Sequence, residues 1–241
     1  MRSILVIPAR FKSTRFPGKP LTDILGKSMI QRVYEQCIQA FPRDDIYVAT
    51  EDERIKNHCD EHGIQCLMTS KNCLTGTDRI AEVAEIIDAD YYINVQGDEP
   101  LFNPEDIKYL INKIPEHKGE IINGYCKIDN EDDYRSVSTP KVVFRPDGRL
   151  LYMSRSPIPG NKSNKFSLSY RQVCAYAFPK KALKEFSKSN GKTLLENEED
   201  IEILRFLELG YEVRMVEMSN ISIPVDHHDD LQKVIKKLHN A

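Results

Sequence analysis

The chain has 241 residues, of which 40% are hydrophobic and 29% are charged, so its composition is that of an ordinary globular protein. A chain of this length buries roughly 70–75% of its unfolded surface, which excludes the class of small domains that need disulfides or a structural metal. Its 34 basic and 37 acidic residues give a formal net charge of −3. No overall positive field therefore attracts nucleic acid or an anionic membrane, and any anion site must be local.

The sequence shows no segment that indicates export or membrane insertion. No apolar run approaches the roughly 20 residues of a membrane helix, and the N-terminal hydrophobic stretch ends at Pro8 after the length of one strand. The six cysteines form no CxxC pair. We therefore expect a cytoplasmic protein with reduced thiols.

One group of potential metal ligands lies in the first quarter of the chain. His58 and His62 are spaced to share one helix face, and Cys66 follows them. The segment Glu51–Gly63 is charged throughout and offers no fourth ligand. A solvated polar helix face is therefore the favoured interpretation of this group.

Buried strand patterns and amphipathic helix patterns alternate through the first half of the chain. The predicted strands are Ser3–Pro8, Asp45–Thr50, Gln65–Met68, Tyr91–Val95 and Glu120–Cys126. The predicted helices are Ser28–Phe41, Glu51–Glu61, one that opens near Thr77, and Pro104–Lys113. Because strands that alternate with helices usually pair in parallel, this pattern predicts the α/β class.

The alternation is interrupted in the second half. Lys141–Arg155 carries two strand-like runs around Asp147 and Gly148, which predicts a hairpin and an antiparallel excursion over about residues 141–178. The remaining predicted segments are a surface loop at Gly160–Ser169, a strand at Tyr170–Phe178, a helix from near Pro179, a helix at Glu198–Leu209, a strand at Tyr211–Met218 and a helix from Asp226 to His239. No linker divides the chain, so residues 1–241 are predicted to form one domain.

The loop after the first strand is the most informative segment. Four cations and no acid fall between Pro8 and Pro20, namely Arg10, Lys12, Arg15 and Lys19. Arginine forks, lysine charges and backbone N–H groups at the carboxyl end of a parallel strand suit a polyphosphate. A solvated basic turn is the alternative, and the GxxxxGK[ST] pattern of a Walker A loop is absent.

Two aspartates are candidates for a magnesium site. Asp98 follows a hydrophobic strand in NVQGDEP, and Asp226 follows a short apolar run before the last helix. Magnesium is usually bound by one or two carboxylates together with substrate phosphates. The alternatives are a turn or helix cap at Asp98 and an ordinary helix N-cap at Asp226.

Several motifs together resemble one enzyme family, and the match runs nearly end to end. They are IPARFKSTRFPGKPL, the TGTDR of Thr75–Arg79, NVQGDEP, the SR of Ser154–Arg155, the LENEEDIEILR of Leu195–Arg205 and the closing VDHHDDL. In this order they are similar to the cytidylyltransferases that activate 3-deoxy-manno-octulosonate (Kdo), the CMP-Kdo synthetases. The resemblance implies a Rossmann-like α/β nucleotidyltransferase, usually a homodimer, that uses CTP, Mg²⁺ and a 3-deoxy-octulosonate sugar acid for lipopolysaccharide biosynthesis.

The resemblance also implies roles for individual residues. Those implied for CTP are Pro8, Ala9, Arg10, Ser13, Thr14, Arg15, Lys19, Thr75, Gly76, Thr77 and Arg79. Those implied for the sugar acid are Gln96, Arg155, Gln172, Tyr176, Glu196 and Glu199. The implied catalytic residues are Lys19, Asp98 and Asp226, of which the two aspartates would hold magnesium. A charged helix face is the alternative interpretation of Glu196, Glu199 and Glu202.

The chain departs from the family pattern at two places that we expect to adjoin the sugar pocket. Gln172 stands where the pattern HxGxY has histidine, and Ile203 stands where EQLR has glutamine. These changes alter the hydrogen-bonding groups of the pocket. The acceptor could therefore be Kdo or its 8-amino-8-deoxy analogue, and the alternative functions are a neuraminate-type cytidylyltransferase, a GT-A glycosyltransferase or an inactive nucleotide-binding regulator.

Overall fold

The computed structural model describes residues 1–12, 16–189 and 191–240. Its strands are Ser3–Pro8 (β1), Asp23–Ile24 (β2), Lys27–Ser28 (β3), Ile46–Thr50 (β4), Cys66–Met68 (β5), Tyr91–Val95 (β6), Ile121–Lys127 (β7), Lys141–Phe144 (β8), Leu150–Ser154 (β9), Tyr170–Pro179 (β10) and Val213–Glu217 (β11). Its helices are Met29–Cys37 (α1), Glu53–Glu61 (α2), Gly76–Ile86 (α3), Pro104–Lys113 (α4), Glu131–Arg135 (α5), Lys180–Lys188 (α6), Leu194–Glu199 (α7), Ile203–Glu208 (α8) and His228–His239 (α9). Among the helices in these ranges, none is long and apolar enough to cross a membrane.

A nine-stranded sheet forms the centre of the molecule, with the strand order β11-β7-β10-β6-β1-β4-β5 and the hairpin β8–β9 attached to β10. Strand β1 pairs in parallel with β4 and β6, as the sequence predicts for an α/β fold. Strand β10 runs antiparallel between β6 and β7. The prediction of an α/β fold with an antiparallel excursion is confirmed. The last strand of this excursion, β10, lies in the middle of the sheet.

Both faces of the sheet are buried. Leu5 and Ile7 of β1 pack in one hydrophobic cluster, whereas Ile4 and Val6 pack in the cluster on the other face. Alternate side chains of a strand point to opposite faces, so a strand covered on both sides must be hydrophobic throughout. This burial explains why β1 is a continuous apolar run in the sequence.

The hairpin β8–β9 is present around Asp147 and Gly148, and Gly148 has a φ of +85°. A positive φ favours glycine, which accounts for the strength of this turn signal in the sequence. Residues 160–169 contain no helix or strand and are mostly exposed, as expected for a surface loop.

The prediction of one continuous helix at Glu198–Leu209 is wrong, although Ile203–Glu208 within it is helical. The structure has two short helices there, α7 and α8, and the backbone turns between them at Asp200, which adopts a positive φ of 51°. The acidic run is not a solvated helix face, because Glu196 is fully buried and Glu202 makes contacts with another element. The sequence analysis also missed the β2–β3 ribbon and helix α5.

Candidate active site

The carboxyl ends of β1 and β6 meet at one edge of the sheet. A Cβ atom at Gly97 would lie 2.7 Å from the carbonyl oxygen of Pro8, which is closer than real Cβ contacts allow. Glycine at position 97 therefore lets the loop after β6 approach the end of β1. This approach places Asp98 beside the basic loop, at the sheet edge where α/β proteins bind ligands.

Lys19, Asp98 and Asp226 converge at this edge. The Nζ atom of Lys19 lies 2.7 Å from Asp98 Oδ2 and 3.5 Å from Asp226 Oδ1. It also donates to the carbonyl oxygen of Val225 at 2.8 Å, and the Val225 N–H donates to the carbonyl oxygen of Asp98 at 2.9 Å. The structure thus brings together three residues that the sequence analysis singled out. The N-cap of α9 is His227, so helix capping does not account for Asp226.

A cavity of about 400 Å³ opens beside this cluster. The predicted nucleotide residues that line it are Pro8, Ala9, Arg10, Lys19, Thr75, Gly76 and Arg79. Asp98, Asp226 and Gln96 also line it. The predicted residues Ser13, Thr14 and Arg15 lie outside the described residues.

Arg79, which lines the first cavity, already forms an ion pair with Glu51. Its Nη2 atom lies 2.8 Å from Glu51 Oε2, and its Nη1 atom donates to the hydroxyl of Thr69. Both members of this ion pair are nearly buried. Arg79 therefore lines the cavity as part of a neutral pair, whereas Arg10 is exposed to solvent.

The N-terminus of α3 is occupied by a carboxylate of the chain itself. Glu202 accepts hydrogen bonds from the backbone N–H groups of Gly76 at 3.1 Å and Thr77 at 2.9 Å, and from the Thr77 hydroxyl. A helix N-terminus stabilises negative charge. Burial raises the pKa of Glu202, and the hydrogen bonds from Thr77 and Gly76 oppose this shift. Thr77 consequently faces Glu202 and is not among the residues that line the cavity.

A second cavity of about 620 Å³ adjoins the first. The two share the side chains of Gln96, Asp98, Asp200, Glu202 and Asp226. The predicted sugar-acid residues that line the second cavity are Gln96, Arg155, Gln172 and Tyr176. Two substrates bound in these cavities would therefore meet at the carboxylates and Gln96.

The guanidinium of Arg155 is held by main-chain acceptors. It donates to the carbonyl oxygens of Val137 and Asp200, each at 2.9 Å, and to that of Glu199. The Glu199 carboxylate accepts from Ser154 Oγ at 2.6 Å and from the Arg155 N–H at 2.8 Å. Glu199 does not line either cavity. It positions the Ser154–Arg155 segment instead of facing a ligand.

Gln172 and Tyr176 lie together on the wall formed by β10. Gln172 Nε2 donates to Asn123 Oδ1 at 3.0 Å and to the Tyr176 hydroxyl at 3.2 Å. Burial raises the pKa of Tyr176 well above its ordinary value. Ile203, by contrast, is fully buried in the core and does not line a cavity, so the expectation that it adjoins the sugar pocket is wrong.

Glu196 lies in a buried ion pair and not in the cavities. Its two oxygens accept from Arg205 Nε at 2.5 Å and Arg205 Nη2 at 2.7 Å, and the Arg205 and Glu196 side chains are each 1% exposed. Arg205 also donates to Asp78 Oδ1 at 3.1 Å. This network connects the TGTDR segment to the LENEEDIEILR segment, so the two motifs are linked by structure.

We expect Glu196→Gln to lower the free energy of unfolding by about 3 kcal/mol, because it leaves a buried guanidinium without its main counter-charge. Urea denaturation measures this loss. The control is Glu185→Gln, which breaks the exposed pair with Lys188 and should give no measurable change. A normal stability combined with a raised KM for the sugar acid would instead show that Glu196 contacts substrate.

The sequence analysis missed several residues of the second cavity. Glu99 lines it, and burial raises the pKa of this carboxyl to about 7. Arg171 supplies a second cation, and its Nη2 atom donates to Asn220 Oδ1 at 2.6 Å. Glu99 stands next to Asp98 in NVQGDEP, which is the signal that could have identified it.

Comparison with known proteins agrees with this geometry. The family profile described as cytidylyltransferase matches residues 4–217. A 3-deoxy-manno-octulosonate cytidylyltransferase of Geobacter sulfurreducens is 42% identical, with 99% of this chain and 100% of the relative covered. The protein of that name from Protochlamydia amoebophila is 38% identical, with 95% and 91% covered.

Two solved structures are also similar to this chain. A CMP:2-keto-3-deoxy-manno-octonic acid synthetase complexed with CTP superposes with a TM-score of 0.92 at 34% identity, covering 100% of this chain and 99% of that one. A cytidylyltransferase from Leptospira borgpetersenii has a TM-score of 0.63 at 15% identity, covers 100% and 96% of the two chains, and supports the fold alone.

Proposed function

This chain belongs to the 3-deoxy-manno-octulosonate cytidylyltransferase family, and we propose that it transfers CMP from CTP to the anomeric hydroxyl of a 3-deoxy-octulosonate sugar acid. The observation that carries this proposal is the meeting of two cavities at Asp98, Asp226 and Gln96. The first cavity has the basic loop that suits a triphosphate, and the second has Arg155 and Arg171 for a carboxylate.

The reaction is a single displacement. The anomeric oxygen forms a bond to the α-phosphorus of CTP, the bond from that phosphorus to the bridging oxygen breaks, and pyrophosphate leaves with that oxygen. The hydroxyl proton is released to solvent. The side chains supply position and charge in this scheme, with no covalent enzyme intermediate.

Lys19 is placed to act on the phosphates. Its side chain is 14% exposed, and its Nζ atom is held by two carboxylates and one carbonyl oxygen. The position of its charge is therefore fixed. A phosphate oxygen entering the first cavity would meet this ammonium group with little rearrangement. Such a pre-positioned cation stabilises the negative charge that develops on the leaving group.

We also propose that Asp98 and Asp226 hold Mg²⁺. Their carboxylates already converge on one cation, Lys19, and oxygen donors from two loops beside a phosphate cavity suit this ion. When bound, Mg²⁺ would neutralise phosphate charge and lower the pKa of a coordinated hydroxyl. Asp98 and Asp226 would hold it between the two cavities.

Three further parts of the proposal concern the setting of the enzyme. We place it in the cytoplasm, in lipopolysaccharide biosynthesis, as a homodimer assembled partly through the antiparallel excursion. Leu151 on β9 and Leu168 in the following loop are 57% and 47% exposed, so the excursion offers apolar surface for a second copy.

A pyrophosphate-release assay tests the activity. It crosses CTP, UTP, ATP and GTP with Kdo, its 8-amino-8-deoxy analogue and neuraminate. We expect turnover with CTP and an octulosonate. A preference for neuraminate would favour the neuraminate-type alternative, whereas tight CTP binding without turnover would favour a regulator. Glycosyl transfer without pyrophosphate release would indicate a glycosyltransferase.

Lys19→Ala is expected to lower kcat/KM for CTP by at least about tenfold, because it removes a positioned charge from the phosphate cavity. The matched control is Lys12→Ala, which removes an exposed lysine from the same loop and should change kcat/KM by less than about threefold. Steady-state kinetics with varied CTP compare the two. Equal losses would show diffuse attraction by a basic loop and contradict a positioned contact.

A further inference from the structure

Three metal-ligating side chains form a group at the C-terminal end of α2, outside the two cavities. They are His58, Glu61 and His62, and one ligand atom from each lies within 4.8 Å of the other two. Residues three and four positions apart on a helix share one face, which explains why these side chains meet. His58 is half-buried, while Glu61 and His62 are exposed.

The hydrogen bond of His62 fixes which of its nitrogens can bind a metal. His62 Nδ1 lies 2.8 Å from the backbone carbonyl oxygen of His58. A carbonyl oxygen can only accept, so Nδ1 carries the hydrogen and Nε2 of the neutral ring keeps its lone pair. A ring nitrogen that donates to a backbone carbonyl is the usual support of a metal-bound histidine.

The imidazole of His58 is anchored by a different element. Its Nε2 atom lies 2.7 Å from Ser28 Oγ, and Ser28 Oγ also accepts from the Gln31 N–H at 3.2 Å as the N-cap of α1. In the tautomer that can bind a metal, Nε2 carries the hydrogen and donates it to Ser28 Oγ, which has a second lone pair for the Gln31 N–H. Nδ1 then keeps its lone pair for the ion. The ring centroids of His58 and His62 are 4.2 Å apart, and each ring is oriented by its own hydrogen bond before any ion arrives.

We propose that His58, Glu61 and His62 bind a divalent transition-metal ion such as Zn²⁺, at a site separate from the one proposed for Mg²⁺. Two imidazoles and a carboxylate match the donors that Zn²⁺, Ni²⁺ and Co²⁺ take, whereas Mg²⁺ is held mainly by oxygen. Solvent completes the coordination on the exposed side. Cys66 does not belong to this group, which among the described residues consists of His58, Glu61 and His62.

Equilibrium titration of the intact protein with Zn²⁺, read through a chromogenic chelator competitor and with Mg²⁺ in excess, tests this proposal. We expect one equivalent to bind, and His62→Gln to weaken that binding by at least about tenfold. Glu61→Gln should weaken it by a smaller factor. The matched control is His239→Gln, which removes an exposed histidine at the end of α9 and should leave the affinity unchanged.

A second readout separates binding from misfolding. At the same concentration, Zn²⁺ should raise the Tm of the wild-type protein more than that of His62→Gln, while both have the same Tm without metal. Equal affinity of the wild type and His62→Gln would overturn the proposal, as would displacement of Zn²⁺ by Mg²⁺. Loss of the bound equivalent on Cys66→Ser would assign the metal to the thiols and would also overturn it.

Discussion

Asp98→Asn and Asp226→Asn are each expected to lower turnover by at least about 100-fold, because each removes a carboxylate that we propose to hold Mg²⁺ where the two cavities meet. Asparagine keeps the size of the side chain but cannot carry the charge that faces Lys19. The effect on turnover should be largest when Mg²⁺ is limiting. The free energy of unfolding should change little, since both side chains are partly exposed.

Pyrophosphate release measured over a range of Mg²⁺ concentrations checks this expectation, together with a thermal melt of each variant. The matched control is Asp229→Asn, an exposed aspartate in the first turn of α9 only three residues from Asp226. It should keep normal turnover and normal Mg²⁺ dependence. Near-normal turnover of either site variant at limiting Mg²⁺ would show that its carboxylate has only a structural role.

The position of the site at the sheet edge could be predicted from the sequence. A basic loop directly after β1 and a carboxylate directly after β6 must lie at the same edge once the two strands pair in parallel. The position of Asp226 beside Lys19 was harder to predict. Asp226 lies in the loop between β11 and α9 and does not directly follow a strand of the sheet. Its contact with Lys19 depends on tertiary packing between distant segments.

The acidic segment shows where the sequence pattern was insufficient. Charged residues at helical spacing normally indicate an exposed face. Here Glu196 is paired with Arg205, and Glu202 accepts hydrogen bonds from the first turn of α3, so two of the acids are used inside the structure. Their partners lie in separate elements or across the break between α7 and α8, and no local pattern identifies them.

The direction and position of strand β10 could also not be predicted from the local sequence pattern. Residues 170–178 have a strand signal, but the signal does not show that β10 lies antiparallel between β6 and β7. That placement brings Tyr176 opposite Asn94 and next to the end of β6. This wall of the second cavity therefore results from topology, although its residues were named from a resemblance.

The orientation of Gln172 follows from a chain of hydrogen bonds that begins at the backbone. Asn123 Nδ2 donates to the carbonyl oxygens of Val173 and Ala175 at 2.9 and 3.0 Å, where the pairing of β10 with β7 shifts register. Carbonyl oxygens only accept, so the Asn123 amide has one possible orientation and its Oδ1 must accept. The donor to that oxygen is Gln172 Nε2, which also contacts the Tyr176 hydroxyl.

The amide oxygen of Gln172 is thereby left as the group that can face a ligand in the second cavity. Among the described residues, no donor is found for Gln172 Oε1. This wall consequently presents an acceptor where the family pattern has histidine. A hydroxyl and a protonated amine can both donate to this oxygen, but the amine donates with a positive charge, and charge-assisted hydrogen bonds are about twice as strong as neutral ones. A fixed acceptor therefore favours the amine.

We therefore expect kcat/KM to be at least about tenfold higher for the 8-amino-8-deoxy analogue than for Kdo, since a hydrogen bond from a charged donor contributes about 1.5–3 kcal/mol and one from a neutral donor about 1 kcal/mol. Gln172→His should reverse the preference, mainly through KM. The matched control is Gln39→His, which makes the same exchange at an exposed position on the chain and should change neither value. Side-by-side kinetics with the two acceptors and saturating CTP measure the ratio. Equal values for the two acceptors, or a clear preference for Kdo, would refute the expected preference for the amino analogue and leave the proposed cytidylyltransferase activity intact, because we place CTP in the first cavity.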